Sequence, residues 1–158
     1  MANTQAMTTS FMGELMTATH NFGTAPVRAS GATDSFKGAL YLASATYNAA
    51  TTAYSTTGEV TGTNYTAGGV AVTFGTPPTA TNSSATAGVA FVTPSASITY
   101  TNVTLTTAFD AVLIYNSTQS NKAVSVHTFG SQTVTAGTFT LTMPANTTST
   151  ALIRLATT

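Results

Sequence analysis

Charge is what this chain has least of. Four Lys or Arg and four Asp or Glu serve 158 residues, 5% of positions, where a soluble domain ordinarily carries about 25%. The cations Arg28, Lys37, Lys122 and Arg154 are too few and too scattered to neutralise a phosphate track, which argues against a nucleic-acid partner. Cysteine is absent, excluding disulfides and thiolate metal sites. The longest strongly apolar run, AVLIY at 111–115, is far too short to span a bilayer as a helix. MANTQAMTTSFMGELM at the start has neither the cationic opening nor the apolar centre of a signal peptide, so no membrane contact is expected.

Chemistry is equally short of material. The acids are Glu14, Asp34, Glu59 and Asp110, no two of them close in sequence, and acid–base catalysis ordinarily pairs two ionisable groups. His20 and His127 share no ligand spacing with each other or with an acid, and each reads as a surface or packing histidine. Asp110 interrupts a buried-strand pattern and reads as a hydrogen-bonded acid at a strand's start. No Ser sits in a nucleophile elbow. The expectation is no catalytic residue, no metal and no cofactor.

What is abundant is threonine, 38 of the 158 residues. Its β-branched side chain is stiff and suits a pleated surface, so a Thr-rich chain with period-2 patterning is a β-protein whose outward face is hydroxyl rather than charge. Leu, Ile, Val and Phe together number only 30, which predicts a thin core. Natural sheets usually guard exposed edges with Lys, and net charge keeps molecules apart; this chain has neither defence. Much of its surface is therefore expected to be covered by neighbours, as in a homo-oligomer such as a trimer.

Residues 1–30 read as an N-terminal helix or arm and residues 31–158 as one β-domain. Within TTSFMGELMTATHNFG, Phe11 and Leu15 lie four apart, as do Met12 and Met16. That spacing gives a short helix packed on the sheet, or an arm whose apolar side chains dock on an adjacent subunit. FKGALYLAS alternates as a half-buried strand, with Phe36, Leu40 and Leu42 opposite Lys37 and Tyr41. VAVTF follows, then a long loop GTPPTATNSSATAG. SITYT and VTL change phase around Asn102, which predicts a bulge or tight turn. FDAVLIYN is apolar almost throughout and reads as a central strand buried on both faces. AVSVHTF is a further strand, SQTVTAGTFTLTMP a hairpin turning near Ala136 and Gly137, and ALIRLA closes the chain. Eight or so short strands predict an all-β fold, an antiparallel β-sandwich or jelly roll with a short N-terminal helix or arm.

TTGEVTGTNYTAGG, residues 56–69, contains four glycines and a single charge. A phosphate loop would open onto a helix with a Lys following; this one has Glu59 and leads into a strand. Gly58, Gly62, Gly68 and Gly69 read instead as positive-φ turn residues, with Tyr65 as an anchor.

The arrangement FKGALYLASA, TTAYSTTGEVTGTNYTAGGVAV and TPSASITYTNVTLTTAFDAVLIYN resembles a family of small virion-associated proteins of tailed bacteriophages. Its most specific parts are Thr57 to Gly69 and Phe109 to Asn116. Asn64 stands where that family often has Gly, a substitution the left-handed conformation tolerates. The resemblance implies a non-enzymatic virion component, foremost a capsid decoration or cement protein partnered by the major capsid protein. Alternatives are a collar, tail or baseplate adaptor or fibre component, and a host-glycan-binding module using Tyr47, Tyr54 and Tyr65.

Overall fold

The computed structural model describes residues 3–8, 11, 15, 19–20, 22, 34–76, 78–81 and 88–156. The fold is all-β, with antiparallel sheets. In chain order the strands are β1 (Ala6–Met7), β2 (Phe36–Leu42), β3 (Val70–Val72), β4 (Thr79–Ala80), β5 (Val89–Val92), β6 (Ile98–Asn116), β7 (Lys122–Leu141) and β8 (Ile153–Ala156). One sheet runs β1-β7-β6-β2-β3 and a second runs β4-β5-β8. Phe11 and Leu15 have helical backbone; Met12 and Met16 lie outside the described residues.

Two strands dominate. β6 is 19 residues and β7 is 20, joined by a turn in which Ser120 and Asn121 adopt positive φ. The segments SITYT, VTL and FDAVLIYN are one continuous strand, and AVSVHTF runs on into TFTL as another. The expected hairpin at Ala136 and Gly137 is therefore a bulge inside β7. Ala136 takes φ 46°, and Gly137 pairs with Val103 across the ladder. Asn102, at φ 53°, marks the predicted irregularity on the facing strand, where the register shifts between Tyr100 and Val103.

Bulges bend and twist a strand, and strands that change layer commonly do so at them. The β6–β7 ribbon uses several and folds back over its own sheet. His127, near the start of β7, and Leu141, at its end, line one cavity together with Ile98 and Val112 from distant parts of β6. The Tyr100 hydroxyl donates to the Gly38 carbonyl at 2.7 Å, tying the returning part of β6 to β2.

The main core lies between these layers. Leu40, Val112, Ile114 and Val124 of the first sheet share it with Ile98, Tyr100 and Leu105 of the returning ribbon and with Val92 and Ile153 of the second sheet. Aromatic rings fill one end. Phe22 stacks on Phe36 at 4.6 Å, and Phe74 meets both edge-on at 4.8 and 5.0 Å. Each such pair contributes about 0.5–1.5 kcal/mol beyond area burial. Phe11 is fully buried and edge-on to Phe22. Its ring is thus held in the chain's own core, and Leu15 packs against the same cluster, which agrees with the packed alternative for these two residues rather than with the docking arm.

A second cluster covers the opposite face: Ala39, Tyr41, Ala111, Leu113, Tyr115, Ala123 and Val126, with Tyr47 from the loop that follows β2. β2 is consequently buried on both faces, and the half-buried reading is corrected. β6 is central over Phe109–Asn116, as its unbroken apolar run predicts, with only Asp110 partly exposed. The expected loop 75–88 carries the short strand β4, which pairs with β5.

Candidate functional site

The glycine-rich segment 56–69 closes over the second face of the sheet. Leu42 donates its N–H to the Gly58 carbonyl and Val60 donates to Leu40, so residues 58–60 extend the sheet alongside β2. A bridge joins Tyr41 to Glu59. Gly58, Gly68 and Gly69 have φ of 74°, 90° and 71°, and Asn64 has φ 61°. Gly62 departs from the expected role. It serves close approach, since a Cβ there would overlap the Thr104 carbonyl, just as one on Gly69 would overlap that of Gly38.

This path delivers Glu59 inward, where it is 6% exposed. Its Oε1 accepts hydrogen bonds from the Tyr65 hydroxyl and the Gly68 N–H, both 2.7 Å, and its Oε2 accepts from the Tyr54 hydroxyl at 2.7 Å. Tyr65 also accepts from the Leu40 N–H at 3.0 Å. Tyr115 donates to the Gly68 carbonyl at 2.9 Å and stacks on Tyr54 at 4.7 Å. Tyr41 and Tyr47 donate to carbonyls of the covering loop: both reach Ser55, and Tyr47 also reaches Thr57. With Tyr100 stacked on Tyr65, all six tyrosines of the chain belong to this neighbourhood.

Burial comes first, and the Glu59 charge adds to it, in raising the hydroxyl pKa of Tyr54, Tyr65 and Tyr100 above the ordinary value. The same two causes push Tyr115 up to about 12. Tyr41 is raised by burial and then by its neighbour Tyr47. These phenols are held neutral as donors, and the carboxylate is met by two of them, Tyr54 and Tyr65, and by the Gly68 N–H. The cage therefore works as a clasp: one buried anion fastens a loop by charge-assisted hydrogen bonds.

Two further polar clusters brace the fold. Asn116 is fully buried; its Nδ2 donates to Asp34 at 2.8 Å and contacts His20 Nδ1 at 3.1 Å. Its Oδ1 accepts the backbone N–H groups of Thr118 and Gln119 in the β6–β7 turn, which fixes the amide orientation and makes His20 Nδ1 an acceptor. Asp110 lies in the middle of β6, not at its start, and accepts from the Asn3 amide, which also reaches the Leu42 carbonyl. Among the described residues no three His, Asp or Glu converge as metal ligands. Glu14 lies outside the described residues.

His127 faces a cavity of about 110 Å³ between the layers, lined by Val112, Ile114, Phe129, Leu141, Met143 and Leu152 among others. Its Nε2 is 2.8 Å from the Ser125 hydroxyl. Burial among apolar groups lowers its pKa to about 4. The tyrosines considered for glycan binding, Tyr47, Tyr54 and Tyr65, turn their hydroxyls to partners inside the molecule. No family model, no curated protein and no solved structure matches this chain.

Proposed function

We propose that this chain is a non-enzymatic structural protein of a tailed-phage particle, a decoration or cement protein seated on the major capsid shell. The observation that carries the reading is the surface of the returning ribbon. From Ala123 to Ile153 the sequence has no Lys, Arg, Asp or Glu, and Thr99, Thr101, Thr106, Thr107, Thr133, Thr135, Thr138 and Thr140 are exposed along it. Loss of charge with retention of neutral hydroxyls suits surface that ends up between neighbours in an assembly.

The polar interior supports the same conclusion. Glu59 and Asp34 and the tyrosine hydroxyls act as fasteners of loops and turns. The residues quoted for the resemblance, Thr57 to Gly69, build the clasp itself, so what they specify is a rigid part. Quantitative mass spectrometry of purified particles tests the reading, by copy number against the major capsid protein. Hundreds of copies per particle are expected. A dozen or fewer would move the protein to a collar, tail or baseplate, and its absence would overturn the virion assignment.

A further inference from the structure

Among the described residues, the outer edge of β7 is open beyond its first few positions, where residues 52–54 bridge to Lys122 and Thr8 donates to the Val124 carbonyl. β1 pairs with it only at Ser125 and Val126, and among the described residues no strand follows β1 along that edge. Open edges are templates for another strand, and proteins block them with charge, Pro or bulges. Here β7 carries no Pro, and beyond Lys122 at its first position it carries no Lys, Arg, Asp or Glu. Bulges are present, but the register places them at three points, the first between Ala123 and Ser125, where two β7 steps face one on β6. Between Thr128 and Gln132 four β7 steps face two on β6, and between Val134 and Gly137 three face two, at Ala136. From Gly137 to Leu141 the extra residue lies on β6, at Asn102, and β7 itself runs unbroken.

We infer that a second copy of this chain pairs antiparallel with the Gly137–Leu141 edge of β7 about a twofold axis centred near Thr140. A twofold pairing sets a strand against itself, so any charge on it would risk meeting its like. The stretch from Ala123 to Ile153 has none, which removes the usual obstacle to self-pairing. Alternation is preserved by the same operation. Thr138 and Thr140 are exposed while Phe139 and Leu141 are partly buried. Centring on Thr140 places Phe139 opposite Leu141, Thr138 opposite Thr142, and Thr140 opposite itself, so hydroxyl meets hydroxyl on one face and apolar meets apolar on the other. A charged foreign strand would find no complementary group here. The contact is short, roughly five residues or about 17 Å of strand, so association is expected only at high protein concentration or on a crowded surface. It does not depend on the protein being a virion part.

Sedimentation velocity of the full chain over a wide concentration series tests this. A concentration-dependent dimer is expected. Thr140→Lys, at an exposed position, should raise its dissociation constant at least 10-fold, whereas Ala67→Lys, exposed in the loop before β3, should leave it unchanged. Mixing Thr140→Lys with Thr140→Glu should restore dimers, with circular dichroism confirming that each variant is folded. A monomer at every concentration would overturn the inference, as would an oligomer indifferent to Thr140→Lys or a lysine–glutamate mixture that fails to recover.

Discussion

Removing the Glu59 carboxylate is the sharpest perturbation of the clasp. In Glu59→Ala the Gly68 N–H and the Tyr65 hydroxyl lose an acceptor at 2.7 Å, and so does the Tyr54 hydroxyl. A buried donor left unsatisfied costs about 1–3 kcal/mol. Tyr54 is the best placed of the three to recover water, since it is only partly buried. The cost of taking the carboxylate out of water is recovered at the same time, so the sum falls below three full penalties. The expected loss is about 3–5 kcal/mol, a large part of the ~5–15 kcal/mol that holds a typical domain together. For a chain of this size about 1 kcal/mol moves the midpoint by roughly 2–4 °C, so Tm should fall by about 6–20 °C. Glu59→Gln keeps one acceptor oxygen and loses the charge assistance, and should lie between the two. Urea unfolding followed by tyrosine fluorescence and far-UV circular dichroism measures both variants. A loss under about 1 kcal/mol for Glu59→Ala would refute the clasp, because donors so easily re-satisfied cannot be fastening the loop.

Three other outcomes follow from named groups. His127 has a folded pKa near 4, below its ordinary 6.5, so its contribution to stability is complete above about pH 6.5 and is lost as pH falls towards 4; the loss of up to about 3 kcal/mol should be absent in His127→Gln, read by urea midpoints across that window. Tyr115 is raised to about 12 from 10, so its contribution is complete below about pH 10 and is lost as pH rises towards 12; spectrophotometric titration should show tyrosines that ionise only as the fold opens. Gly69→Ala, at φ 71° and against the Gly38 carbonyl, should destabilise by more than about 2 kcal/mol, whereas Gly130→Ala, with nothing within 4 Å of a new Cβ, should change the melting temperature little.

The central part of β6 was legible because Phe109 to Tyr115 is apolar at nearly every position, which only a strand covered on both sides supports. Asn102 was legible because the alternation changes parity there. The turn assigned to Ala136 and Gly137 failed for a definite reason. Small residues permit positive φ in a bulge as readily as in a hairpin, and only the pairing of Gly137 with Val103 distinguishes them. β2 was read as half-buried because Lys37 and Tyr41 share a face, and nothing local says that a distant loop will cover Tyr41. The clasp was the least visible feature. Glu59 is a lone acid among glycines and tyrosines, a hint that it is enclosed, but Tyr54, Tyr65 and Gly68 meet it only through the loop's path, and Tyr115 joins them from a strand almost fifty residues on.

The doubled-back ribbon also bears on how the molecule comes into being. Its two strands meet through a five-residue turn at 117–121, so pairing can begin there and zip outward at little loop-closure cost. The cost is deferred to the bulges, where the growing ribbon must bend and lay its far end on its own beginning. Tyr100 reaching Gly38 is then a late event, a latch between a finished hairpin and the sheet beneath it. Substitutions near the turn should slow folding, whereas those at the latch should mainly speed unfolding. On this order of events the chain commits early to one register and closes last around its thin core.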